Sequence, residues 1–411
     1  MTLQSLILYR GKAAKKVSDG GLRHSTLARR KGGNLVNKEV AGQNDLKERV
    51  TRRGYRLVAL WAIGILLIYA VGGYLGVRTL QKNKGETEKF REAAIEAATA
   101  APGVSAPDIR VTPGPKPTDV HVGIYVNRVG EISLREGRWA ADFDIWFRWT
   151  GDKVRPGENF QIVNGDIELR EKKAAYVRGR EHYERYRVKA RLPKFFDPSR
   201  FPFNDEALVI QVEDGGPEAE KLRYVAEERE SGVNRLGVLR ILKITKSLAT
   251  VKLNRYGTRR GDPGIPYDKP EVHSRFTFAM LVAPSGGPIY LRNFQALFAA
   301  VAIAFIAFFI KPTHVDPRFG LGVGAVFVAV GNNIYAQTLI PYSDQLTLTT
   351  MINGIGFATF FLTLVQSAIS LYVFDTMGRE RLSRYFDKVS FAVFLIGYAV
   401  TNLILPLAAR P

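Results

Sequence analysis

The chain has 411 residues, 59 Lys and Arg against 39 Asp and Glu, and no cysteine. That length holds two or more domains, and the absence of cysteine excludes a disulfide framework, thiolate chemistry and zinc–thiolate sites. The basic excess is concentrated: residues 1–57 carry 14 Lys and Arg against 4 Asp and Glu, directly ahead of an apolar run. That placement fits membrane topology and anionic lipid rather than nucleic acid.

Residues 1–55 mix Gly, Ser, Asn, Lys and Arg without a sustained period, and read as a mostly disordered basic cytoplasmic tail. Residues 57–77 are uncharged, bounded by Arg56 and Arg78, and long enough to span a bilayer. Residues 56–78 therefore read as a transmembrane anchor. A cleaved signal peptide fits less well, since its charged leader would be far too long and no small-residue cleavage pattern lies close by. In residues 79–118 a Glu-, Lys- and Ala-rich stretch can continue the helix, after which Pro102, Pro107, Pro113, Pro115 and Pro117 stiffen a linker.

From Asp119 the period changes to two. Val120, Val122, Ile124 and Val126 alternate with His121, Gly123 and Tyr125, which predicts a strand, and Glu136-Gly137 predicts the turn after it. In the partner strand, 139–149, Phe143, Ile145, Phe147 and Trp149 share one face; Asp142, Asp144, Trp146 and Arg148 share the other. Further strands are expected at 160–163, 184–192, 208–213, 222–226, 239–253 and 272–282. Many short strands and little helix argue for an all-β sandwich over 119–287. Inside it, residues 195–205 read FFDPSRFPFND. Pro198 and Pro202 cannot join a ladder, so this loop must stand off the sheet.

Residues 288–411 hold four apolar stretches, at 294–310, 319–340, 348–374 and 389–409. The connections 311–318 and 375–388 carry Lys311, Arg318, Arg379, Arg381, Arg384 and Lys388, whereas 341–347 carries no basic residue and has Asp344. The positive-inside rule places the first two in the cytoplasm with the N-terminus, and the β domain outside. None of the five histidines (His24, His121, His182, His273, His314) pairs with another at metal-ligand spacing on one element, and no phosphate-cradling glycine loop follows a strand. Neither enzyme activity nor a cofactor is expected.

The loop with Phe201-Pro202-Phe203, followed at once by a strand, resembles the signature loop of pentameric ligand-gated ion channels in the cysteine-free form found in prokaryotes. That loop reads Phe-Pro-Phe-Asp; here Asn204 takes the acid's place and Asp205 follows it. The resemblance extends over 119–410: the opening strand pair, the loop, four membrane helices, and Leu339-Ile340-Pro341 ending the second. It implies an immunoglobulin-like periplasmic ligand-binding sandwich above a four-helix pore domain, assembled as a homopentamer in a bacterial inner membrane. The N-terminal anchor is an addition to that plan.

The second of these helices would line the pore with Gly320, Gly324, Phe327, Gly331 and Ile334, whose spacing keeps them on one helical face, with Asp316 at the inner mouth and Thr338 at the outer. Five Phe327 rings would form an apolar gate. Asp316 favours cations at that mouth and Arg318 anions; the reading leans to cations without deciding between them. The glycines also suit close helix packing; Asn332 and Asn333 should face protein or water. A small-molecule ligand would sit between subunits near Trp146, Arg148, Tyr186, Tyr256 and Tyr267, where the aromatic residues suit an ammonium, and Arg148, Arg187, Arg259 and Arg260 a carboxylate. Coupling between the domains would run through Glu136, Phe201, Pro202, Phe203 and Asp205, with the loop at 341–347 as their counterpart. The arginine usual before the first pore helix is missing, and Arg292 lies further along. A non-conducting receptor or scaffold, signalling through the basic tail, is the alternative.

Overall fold

The structure is a computed structural model that describes residues 52–97, 117–216, 219–237, 242–257, 263, 271–284, 286–343 and 345–410. The basic tail before residue 52, the prolines of the linker ahead of Pro117, Arg259, Arg260, Tyr267 and Asp344 lie outside the described residues. In chain order the elements are α1 (Arg52–Ala97), β1 (Thr118–Ser133), β2 (Arg138–Thr150), a one-turn α2 (Pro156–Asn159), β3 (Phe160–Ile162), β4 (Asp166–Arg178), β5 (Glu181–Pro193), β6 (Glu206–Asp214), β7 (Leu222–Ala226), β8 (Gly232–Val233), β9 (Leu242–Arg255), β10 (Val272–Pro284), α3 (Gly286–Ile306), α4 (Val315–Leu339), α5 (Leu348–Asp375) and α6 (Glu380–Ala409).

The strands form two sheets, one ordered β4-β5-β2-β1-β7 with β8 also on β1, the other β3-β6-β10-β9. They face each other as a β-sandwich-like region around one core. Alternation explains it: Val120, Val122, Ile124, Phe143, Ile145, Phe147, Val188 and Leu192 point inward from the first sheet, and Phe160, Leu208, Ile210, Val212, Phe276, Phe278 and Met280 from the second. Each such side chain, fully withdrawn from water, contributes about 1.5–3 kcal/mol. The turn at Glu136-Gly137 forms, with Gly137 at φ +61°, a conformation only glycine adopts freely.

β4 is a strand that sequence periodicity does not announce. Its residues, DIELREKKAAYVR, alternate no apolar face, and nearly all are exposed. Among the described residues it stands at the edge of its sheet, paired with β5 alone. Charge there is what keeps an open edge from recruiting another strand.

Among the described residues, five helices are long and apolar enough to cross a membrane: residues 52–86, 286–309, 315–339, 348–375 and 380–409. α1 is not an isolated anchor; it lies along α6. Gly397 leaves room for the Tyr69 ring and Gly76 for Leu405, and the Tyr69 hydroxyl is 2.7 Å from Thr359 Oγ1 on α5. Near the end of α6, Pro406 has no N–H to give the carbonyl of Asn402, four residues back. The Tyr290 hydroxyl of α3 donates to that oxygen at 3.3 Å, so the break in one helix is used to tie down another.

Candidate functional site

On the outer face of the first sheet lies an open bowl of about 580 Å³, lined by Tyr125, Asp144, Trp146, Arg148, Tyr183, Arg185, Glu227 and Glu230. Register builds it: β2 sits between β1 and β5, and Trp146 is opposite Gly123 on one side and Arg185 on the other. Gly123 is required there, because a Cβ would fall 2.2 Å from the indole ring. The indole N–H donates to Glu227 at 2.7 Å and Arg148 donates to the same carboxylate at 2.5 Å. Burial pushes the Glu227 carboxyl up, but these two hydrogen bonds, together with the nearby charge of Arg148, hold it below the usual glutamate range. Asp144, Arg185 and Glu230 carry no ion pair among the described residues. The bowl therefore offers unneutralised charge of both signs beside aromatic rings.

Of the residues picked from sequence, Trp146 and Arg148 meet here. Tyr186 does not join them, because alternation along β5 turns it into the core, 4% exposed, against Phe160, with its hydroxyl on Glu184. Arg187 is held by Asp142 at 2.9 Å. Tyr256 belongs to the other sheet, where it donates to Glu213 at 2.6 Å and accepts from Arg275. Tyr125, Tyr183 and Arg185 were not selected, although their parity on strands flanking β2 was a usable signal. Glu227 and Glu230 follow β7 in a connection, where no period points to them.

A second feature is the open side of α4. Asp316, Gly320, Gly324, Phe327, Gly331, Ile334 and Thr338 are all exposed, Phe327 at 73% and Ile334 at 60%. A Cβ on Gly320, Gly324 or Gly331 would meet nothing within 4 Å, whereas one on Gly322 would strike Leu364. Among these glycines the packing role thus belongs to Gly322. Asn332 turns inward and donates to Asn353 at 3.2 Å. Arg318 does not stand at the open end of α4 with Asp316. It is fully buried, donating to both oxygens of Asp387 on α6 (3.1 and 2.7 Å) and to the Ile310 carbonyl, while Gln366 of α5 donates to Asp387.

The loop between β5 and β6 joins sandwich to helices. Asp197 braces it by accepting from the backbone N–H and hydroxyl of Ser199. The Ser199 carbonyl accepts from the N–H of Leu348 at 2.8 Å, at the start of α5. Arg200, 2% exposed, reaches the Ala409 carbonyl at the end of α6, a favourable place for a cation. Phe203 packs on Tyr290 and over Gly286 of α3. The contact to the start of α5 is thus made by Ser199, while Phe203 goes to α3. Glu136 pairs with Arg138 in the exposed turn after β1, Asn204 is buried, and Asp205 is half-buried. No family model matches the chain, and no curated protein matches it.

Proposed function

We propose that the chain is a subunit of a pentameric ligand-gated ion channel, with the four helices α3–α6 as its pore domain and the immunoglobulin-like sandwich as its ligand-binding domain. The observation that carries this is one stripe on the open side of α4, flanked by the exposed Val323, Val328, Val330 and Tyr335. A lipid-facing surface should be apolar, as the exposed Leu60, Ile63, Leu67 and Val71 of α1 are. Five of the seven residues on the α4 stripe are instead small or polar, which suits a water-filled axis shared between copies. Phe327 is the large apolar side chain midway along it and would close the axis by dewetting.

The bowl at Trp146 supports a small-molecule ligand bearing both a cationic group and a carboxylate: Asp144 and Glu230 would take the first, Arg185 the second, and Tyr125 and Trp146 would cover it. In the pentamer a neighbouring copy would close this bowl. Binding would then act through Ser199, Arg200 and Phe203, which touch α5, α6 and α3. A membrane of bacterial inner type and a periplasmic sandwich follow from the same plan.

The test is purified full-length chain in planar bilayers. Five-fold particles are expected, with Phe327→Ala raising resting conductance over wild type. Monomeric or dimeric particles, or silence from both proteins across pH values and candidate amino acids and amines, would overturn the reading.

A further inference from the structure

α1 and α6 begin at the same end of the helical bundle and run side by side in the same direction. Tyr55 meets Tyr385 edge-on at 5.1 Å, Trp61 meets Phe386 at 5.6 Å and Tyr69 meets Phe394 at 6.3 Å. Charge gathers around the first of these contacts. Arg52, Arg53 and Arg56 of α1 and Arg381, Arg384 and Lys388 of α6 are all exposed. Arg384 is held by Glu380, whereas Arg52, Arg53, Arg56 and Lys388 have no ion pair among the described residues. Asp387 does not offset them, because it is turned inward on Arg318. Below the cations the same strips become apolar. Helical spacing puts Arg52, Arg56, Ala59, Ile63 and Leu66 on one face of α1, all exposed. Arg384, Lys388, Ala392 and Leu395 share a face of α6 in the same way, and they too are exposed.

We propose that this seam binds one anionic phospholipid, its headgroup over the Tyr55–Tyr385 contact among the Arg52, Arg56 and Lys388 side chains, and its acyl chains along Ile63, Leu66 and Leu395. The order of cations and apolar residues on each strip matches the order of phosphate and hydrocarbon in a lipid. A soluble anion would gain nothing from the apolar part. A zwitterionic headgroup carries its own ammonium, which the same cations repel. Basic residues that only set orientation serve at any connection on their side of a membrane, yet here they collect on one helix pair. The connection between α3 and α4, by contrast, exposes Lys311 and His314 and is followed by a buried Arg318. Long Arg and Lys side chains reach from helix ends to headgroup level. Tyr55 and Tyr385, 48% and 39% exposed, stand where interfacial tyrosines do, and basic sites between membrane helices suit such headgroups. The site is built from the two helices, without the basic tail, and is independent of conduction.

The chain carries its own reporter. Of its four tryptophans, Trp139, Trp146 and Trp149 lie in β2, and Trp61 alone lies on a membrane-length helix, partly exposed beside α6. Full-length protein is reconstituted in phosphatidylcholine brominated in its acyl chains, which quenches Trp61, and unbrominated phosphatidylglycerol or phosphatidylcholine is then mixed in. Phosphatidylglycerol is expected to relieve the quenching at about tenfold lower mole fraction, the effect of one or two basic side chains on an anionic headgroup. The preference should shrink in 1 M salt, where the Debye length falls from about 10 to about 3 Å. Arg52→Gln with Arg56→Gln and Lys388→Gln should bring the two lipids to parity while keeping the thermal midpoint, since all three residues are exposed. Arg52→Lys with Arg56→Lys should keep the preference. Parity in wild type would overturn the proposal. A preference that the folded glutamine variant retains would place the lipid on the tail or elsewhere, and would overturn it too. Should that variant fail to fold, Lys388→Gln alone must lower the preference by about threefold, and no change decides against the site.

Discussion

Asp214 and Glu213 are neighbours on β6 with opposite arrangements. Glu213 is met by Arg275 at 2.6 Å and by the Tyr256 hydroxyl. Asp214, 2% exposed, accepts one hydrogen bond, from the Gly216 N–H at 2.9 Å, and its second oxygen has no hydrogen-bond partner among the described residues. Burial pushes its carboxyl up from 3.8 to about 6. The folded chain therefore holds this proton more tightly than the unfolded one. The stability this provides is full below the ordinary aspartate value and is lost as pH rises through about 6. Asp214→Asn removes the titration while keeping an acceptor for Gly216. Its thermal midpoint should match wild type near pH 4 and exceed it above about pH 7. Melts of both proteins at the two pH values check this, and an unchanged gap between them would show that Asp214 is not the titrating group.

Among the helices, polar side chains form the ties between elements. Arg318 of α4, Gln366 of α5 and Asp387 of α6 meet in one buried cluster. Within apolar surroundings, removing one partner strands the other charge, at a cost of about 3–5 kcal/mol, whereas an apolar pair of similar volume can be neutral. Asp387→Leu alone should therefore lower the thermal midpoint sharply, and Arg318→Met with Asp387→Leu should recover most of the loss. Equal destabilisation by single and double variants would show that the shape of the site, not its charge, carries the stability. This cluster also marks where sequence reading stops. Alternation marks β1, β2 and β6, where the inward face is apolar, and uninterrupted apolar runs mark the helices. Both signals are local. β4 has no buried face to alternate and so gave no signal. Arg318 and Asp387 are 69 residues apart, and each sits in a segment whose charge reads equally well as a solvated membrane edge. Likewise the parity of Trp146 and Arg148 was legible along β2, but Glu227, which fixes both, is reached only through the sheet's register.

In the proposed pentamer, the fate of Arg318 bears on which ions would pass. From sequence alone, Asp316 and Arg318 offered opposite charges at the same mouth. With Arg318 turned into its own bundle and neutralised by Asp387, Asp316 is the charged residue left on the exposed stripe of α4. Lys311 and His314 are also exposed, but they lie in the connection before the helix rather than on the stripe. Each helix N-terminus adds a partial positive charge of roughly half a unit, which a full carboxylate exceeds. In the proposed ring of five, the inner mouth would then be net negative and would concentrate cations. Under a salt gradient across a planar bilayer, the wild-type reversal potential should lie toward the cation equilibrium value. Asp316→Asn should move it toward zero or beyond while leaving the thermal midpoint unchanged, since the residue is exposed. Arg318→Met with Asp387→Leu should leave the reversal potential in place, because that pair is withdrawn from the axis. A wild-type potential on the anion side would refute the assignment to Asp316 and leave conduction itself intact.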